Sequence, residues 1–170
     1  MAPMIYDLAA DEQKTILESQ YGVSPFIVKT ITLERIFIDK LFAAESYVRK
    51  SKDVHRAFEA AKHIYDLAVL ENHPKIVSLL SNHEQMKYLL DIRMEEEKMR
   101  LDGIPGVCPN EFTFFDEASE NSAVRSAYEI MQRQYVLRAN DRIPFNIACE
   151  GLSKVKEKLQ HNTAWHECVK

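Results

Sequence analysis

Two charged residues stand where the hydrophobic pattern of the chain calls for apolar ones. In TITLERIFIDKLFAAESYVRKSKDVHRAFEAAKHIYDLAVL, residues 30–70, the positions Leu33, Ile36, Phe37, Leu41, Ala44 and Val48 follow the three-and-four spacing of one buried helical stripe, and Lys40 falls inside it. A lysine placed there must snorkel, pair, or face a cavity. In the next helix Asp66 lies between Tyr65 and Leu67, with Lys62, His63, Val69 and Leu70 as its same-face neighbours. Two such helices side by side would bring a cation and a carboxylate to one cleft. For Lys40 the plainer alternative is a structural bridge to Glu45, Asp66 or a backbone carbonyl at the core edge. For Asp66 it is a surface pair with Lys62.

The elements that position these residues read as helices. Four glycines and six prolines in 170 residues are few turn formers, which favours long helices over a many-stranded sheet. A short helix is expected from Asp11 to Gln20, with Ile16, Leu17 and Tyr21 facing the core and Gly22 stopping it. FIVKTI, after Ser24-Pro25, alternates like one strand, and a lone strand needs a partner for its ladder. Thr32 is a suitable N-cap for the first long helix, Val54 opens the second, and Pro74 suits the first turn of the next. A helix from His83 to Asp102 is expected to close at Gly103, its run RMEEEKMR a solvated face with Glu96 paired to Arg100. Residues 103–116 read as an irregular loop anchored by Phe112, Phe114 and Phe115. Helices from Ser119 to Arg138 and from Pro144 onward follow, with residues 161–170 as a frayed tail. The expected fold is therefore mainly α, one domain over residues 1–170 as a bundle of about seven helices with one or two minor strands.

Composition bounds the function. At 46% hydrophobic and 28% charged residues the chain is globular, and a net charge of −4 gives no overall electrostatic footprint for nucleic acid or acidic membrane. The three cysteines, Cys108, Cys149 and Cys168, lack C-x-x-C spacing and fit reduced thiols in the cytoplasm. His55, His63, His161 and His166 lack the spacing of a zinc set, so no metal site is expected. Lys154, Lys156 and Lys158 alternate with Glu150 and Glu157, a pattern that reads as a solvated helix face before it reads as an RNA contact. No apolar run approaches the length that spans a bilayer, so no membrane partner is expected.

TLERIFIDKLFAAE, followed by AAKHIYDLAVL, resembles the third and fourth motifs of the AbiEii/AbiGii-type nucleotidyltransferase toxins of type IV toxin–antitoxin systems. The resemblance continues through RMEEEKMRLDGIPGV, NEFTFF and AYEIMQRQYVLRANDRIPFNIACEGLSKVKEKL, nearly the whole chain. It implies that Lys40 faces the nucleotide, at its phosphates, and that Asp66 sits beside the same site as a base, metal support or orienting group. Arg35 and Lys62 are the implied substrate-binding residues, and Asp39 lies in the same motif. For the complete family protein it implies Mg2+ and a nucleoside triphosphate as cofactors, a cognate antitoxin as partner, and in some members tRNA as acceptor.

The family's phosphate-holding Gly-Gly or Gly-Ser loop and its metal-binding Asp-x-Asp pair are not found anywhere in this sequence. The expectation is accordingly the C-terminal helical half of such a toxin, a fragment or a naturally shortened chain, binding no nucleotide or metal tightly and inactive alone, because two-metal chemistry needs several oxygen ligands held together. The alternative is a noncatalytic helical module that dimerises, or binds an antitoxin or a separate N-terminal half, through exposed apolar surface.

Overall fold

The computed structural model describes residues 10–22, 30–101 and 103–167. These fall into two units, residues 1–31 and 32–170. The first unit contributes α1 (Asp11–Tyr21), which ends on Gly22 at φ 61°, the left-handed conformation that glycine adopts without strain. None of the residues of α1 is buried, and Ile16 and Tyr21 are exposed, so the expected inward face of this helix is corrected. FIVKTI lies outside the described residues up to Lys29, and among the described residues there is no strand.

The second unit holds α2 (Leu33–Arg49), α3 (Val54–Leu70), α4 (Pro74–Ser81), α5 (His83–Glu97), α6 (Phe114–Glu120), α7 (Ser122–Tyr135) and α8 (Phe145–His161). Five of these starts have a local chemical reason. The Thr32 hydroxyl accepts the Arg35 N–H at 3.2 Å, Asp53 accepts the N–H of His55 at 2.7 Å, and Asn82 and Asn121 accept those of Gln85 and Val124. Pro74 occupies the first turn of α4, where its missing N–H costs nothing.

Helix α2 is the organising element, packing on α3, α4, α5 and α6, while α3 also contacts α7 and α8. Phe37, Ile38, Leu41, Phe42 and Ala44 are fully or almost fully buried, so α2 is covered on more sides than one stripe supplies. Around it, Ile64, Leu67, Ile76, Met86, Tyr128, Met131, Leu152 and Leu159 complete one continuous core. The aromatic loop reading holds. Phe112 meets Phe42 edge-on at 5.0 Å and Trp165 at 5.5 Å, and Phe114 and Phe115 are buried.

Four local expectations are corrected. Helix α5 ends at Glu97 rather than at Asp102, because the chain turns back so that Glu97 accepts the Ile104 N–H at 2.7 Å. The loop is shorter than expected, with a 3-10 turn at Pro109–Glu111 and α6 starting at Phe114. The helix expected from Ser119 to Arg138 starts at Ser122, where Asn121 caps it and separates it from α6, and ends at Tyr135. The tail up to Glu167 is not frayed, since Thr163–His166 forms a 3-10 turn that buries Ala164 and Trp165. Cys149 is a free thiol, as expected, whereas Cys108 is disulfide-bonded.

Candidate functional site

Lys40 and Asp66 meet. Their Nζ and Oδ2 atoms are 2.5 Å apart, joining the middle of α2 to the last turns of α3, with 29% and 36% of the two side chains exposed. Lys40 is carried on the core-facing side of α2 between the buried Phe37 and Leu41 and Ala44, and its stem reaches the edge of the packed region where water still touches the amine. The pair is thus half-buried. It is dry enough to be specific, and open enough for another anion to compete for the ammonium.

A third group stands behind the pair. His63, one turn before Asp66 on α3, lies with Nδ1 4.0 Å from Asp66 Oδ2 and with its ring stacked on Tyr47 at 5.5 Å. Nδ1 is buried and has no hydrogen-bond partner among the described residues. Burial first, then the charges of Lys40, Lys62 and Arg100, pulls the imidazole down to about 3, so it is neutral at physiological pH.

Lys62 joins the same neighbourhood. Its amine pairs with Glu59 at 2.7 Å and sits over the rings of Phe58 and Tyr135, 5.9 and 5.8 Å from their centroids. It lines a cleft of about 450 Å3 together with Tyr65, Asp66, Tyr135, Arg138 and Asp141. Tyr65 closes part of the wall by donating its hydroxyl to the Asp141 carbonyl at 2.9 Å.

Arg35 goes elsewhere. It donates to Asp39 at 3.0 Å and to Glu96 of α5, on which Arg93 also converges at 3.5 Å. Arg93 pairs closely with Glu97 and lies over the Phe42 ring at 5.4 Å. Arg93 and Glu97 are 2% and 3% exposed, so RMEEEKMR is not a solvated face. The expected pairing of Glu96 with Arg100 is corrected as well. Glu96 turns to Arg35 and Arg93, while Arg100 approaches Glu97 at 3.7 Å. Burial lowers the Arg93 guanidinium from its ordinary value, the neighbouring carboxylates opposing it. This cluster ties α2 to α5, and Arg100, 3.7 Å from Glu97, also bears on His63.

A second buried acid has a structural task. Glu45 is fully buried, accepts the N–H groups of Thr113 and Phe114 at 2.9 Å each, and pairs with Arg49 at 2.5 Å. It therefore fixes the start of α6 on α2, and it does not bridge to Lys40. Lys156 is held by Asp116 at 2.6 Å, in keeping with a helix-surface role.

The residues present do not fit a catalytic metal. Among the described residues no group of three His, Cys, Asp or Glu side chains is placed to hold a metal ion, and the Asp66 carboxylate is engaged by Lys40. No step of a reaction is assigned to a metal held by these side chains. A phosphate group fits better, since Lys40 is a partly exposed ammonium beside a neutral imidazole and a second lysine. His63, Tyr65, Tyr135 and Arg138 were not singled out as site residues from sequence. The interleaved RQYVLR was the available signal for the last two.

Among the described residues no helix is long and apolar enough to cross a membrane. No curated protein and no solved structure matches the chain. The model of one family does match, over residues 7–160, and is described as the nucleotidyl transferase AbiEii toxin of type IV toxin–antitoxin systems. A match over that much of a 170-residue chain, containing both helices that bring Lys40 to Asp66, shows that this protein belongs to the AbiEii nucleotidyl transferase toxin family.

Proposed function

We propose that this chain supplies the helical, nucleotide-facing part of a nucleotidyltransferase toxin, with Lys40 as the phosphate-binding cation and Asp66 as the group that orients it. The observation that carries the reading is the half-exposed Lys40–Asp66 ion pair at 2.5 Å. Transfer of a nucleotide depends chiefly on positioning and on charge placed around the phosphates. In the resting chain Asp66 holds the ammonium at a fixed place. An entering triphosphate, with more charge than one carboxylate, competes for it and becomes anchored there. Lys62 adds a second cation from the neighbouring turn of α3, and the neutral His63 keeps the pair's inner side free of a further positive charge. Arg35 acts on substrate only indirectly, by fixing α2 against α5.

Mg2+, supplied with the nucleotide, neutralises developing charge on the phosphates when bound. The carboxylates that hold it in the family reading are not among these 170 residues, which contain no Asp-x-Asp. The chain is therefore inactive alone, with a cognate antitoxin as its regulating partner and tRNA as its acceptor. A second reading, the noncatalytic interaction module, draws support from Met99 and Leu101, which are fully or nearly fully exposed beyond α5.

The test is a titration of the chain with Mg2+ and a nucleoside triphosphate, followed by amide NMR. Weak, saturable shifts at Lys40, His63 and Asp66 that vanish in Lys40→Ala support the transferase reading. Shifts that survive in that variant, or none at all, contradict it. Transfer of labelled nucleotide by the chain alone would overturn the claim of inactivity.

A further inference from the structure

The corner between α7 and α8 concentrates positive charge on a chain whose overall balance is −4. Within RQYVLRANDR, residues 133–142, there are three arginines and one acid. Arg133, Arg138 and Arg142 are all exposed, and none has an ion pair among the described residues, whereas Arg35, Arg49 and Arg93 elsewhere are all engaged by carboxylates. Arginines kept in the open without partners retain their full capacity for bidentate contact with phosphate.

Interleaved with them are two large side chains that the core does not use. Tyr135 is 61% exposed and Leu137 93% exposed. Tyr135 leans on Phe58 at 5.7 Å, which holds its ring in place, and borders the same cleft as Arg138 and Leu137. The cleft runs from this corner to Asp66 and Lys62. It therefore offers an aromatic platform, an adjoining apolar wall and the Arg138 guanidinium, in a trough that leads to Asp66, with Arg133 and Arg142 exposed nearby in the chain.

We propose that the α7–α8 corner is a docking surface for single-stranded nucleic acid, with a base stacked on Tyr135 and the backbone phosphates held by Arg138 and its neighbours Arg133 and Arg142. Cations along the strand with an aromatic between them are the combination that single strands require, and duplex, whose bases are already stacked, gains nothing from Tyr135. The inference deepens the transferase reading, because it identifies which surface delivers the acceptor's end to Lys40 and Asp66. It rests on that reading only for the acceptor role, not for the binding itself.

The test is fluorescence anisotropy with a labelled short single-stranded RNA, the same sequence as DNA, and the matching duplex, over a series of salt concentrations. Tyr135→Ala is expected to weaken single-strand binding about 5- to 150-fold. Arg138→Ala and Arg142→Ala are each expected to reduce the salt slope by about 0.7. Lys154→Ala and Lys158→Ala, on the face of α8, are expected to change neither. RNA bound more tightly than DNA supports an RNA acceptor, and equal binding supports a general single-strand surface; both sustain the proposal.

Single-strand binding that is absent, unmoved by all three corner variants, lost equally in the α8 variants, or no better than duplex binding overturns it. If the corner variants instead abolish association with an acidic protein partner while nucleic acid binding is unchanged, the surface is a protein interface and the proposal fails. Circular dichroism of each variant excludes unfolding as the cause. The transferase reading is scored separately by triphosphate shifts at Lys40, which these variants leave in place, so either can fail without the other.

Discussion

Two of the cation–carboxylate arrangements on helix α2 are made from the same chemical groups, and burial at their centres gives them opposite meanings. On the side facing α5, Arg35, Asp39, Arg93, Glu96 and Glu97 form a network whose centre is 2–3% exposed. Five residues along the helix, Lys40 meets Asp66 of α3 with about a third of each side chain in water. At the centre of the network Arg93 and Glu97 have no room to exchange partners, because either charge released there would be left unsolvated, whereas Asp39 and Glu96 at its rim are 31% and 43% exposed. The half-open pair exchanges partners at low cost. Ion pairs that hold the bundle together and the pair proposed to handle a ligand thus sit on one helix, told apart by the water that reaches the central charges of each.

Breaking the buried side is expected to have the largest effect. Glu97→Ala strands the Arg93 guanidinium and the Ile104 N–H, and is expected to cost about 3–5 kcal/mol in urea unfolding. Replacing both ions together, Arg93→Met with Glu97→Leu, is expected to cost far less than either single deletion. A double variant as unstable as the worse single one would show that the network is needed for more than charge balance. Next in size is Glu45→Ala, which removes the acceptor for two backbone N–H groups and frees Arg49, with an expected loss of about 3 kcal/mol. Unchanged stability in that variant would mean that water replaces the carboxylate at the start of α6.

The third expectation concerns pH. His63 is lowered from 6.5 to about 3 by burial and by Lys40, Lys62 and Arg100. The folded chain therefore refuses a proton that the unfolded chain accepts. The stability that comes from keeping this ring neutral is complete above 6.5 and is lost as the pH falls toward about 3, with a slope of up to about 1.4 kcal/mol per pH unit. His63→Gln is expected to flatten that part of the stability curve. A curve of the same slope in the variant would place the titration elsewhere.

Smallest in stability are Lys40→Ala and Asp66→Ala, each expected to cost under about 1 kcal/mol because solvent screens the pair. Their effect belongs to ligand binding. If either costs as much as Glu97→Ala, the distinction between the two sides of α2 disappears.

What the sequence disclosed follows the same division. The helices, the cap at Thr32 and the proline start at Pro74 were legible because they depend on neighbours within a turn. Lys40 was conspicuous because it interrupts an apolar stripe. Arg93 and Glu97 were invisible, since RMEEEKMR has the local pattern of a solvated face, and their burial is created by Asp39, Phe42 and Ile104, distant in the chain. The motif places Arg35 among the substrate-binding candidates, and its contact with Glu96, far along the sequence, is not visible there. Helix α6 is hidden in the sequence because residues 103–116 read as a loop, and the start of α7 reads as Ser119 although the Asn121 side chain sets it at Ser122. Trp165 looked like part of a loose tail until Phe112 and Phe115 supplied a socket for it.

The most direct measurement is a paired one on Lys40→Ala, combining urea unfolding with the amide NMR titration by Mg2+ and a nucleoside triphosphate. Lys40→Ala is expected to keep a stability within about 1 kcal/mol of the parent chain and to lose completely the triphosphate-induced shifts at His63 and Asp66. A variant that unfolds several kcal/mol more easily, or one that keeps those shifts, would make Lys40–Asp66 a structural ion pair like the network on the other side of α2 and contradict its assignment to the nucleotide.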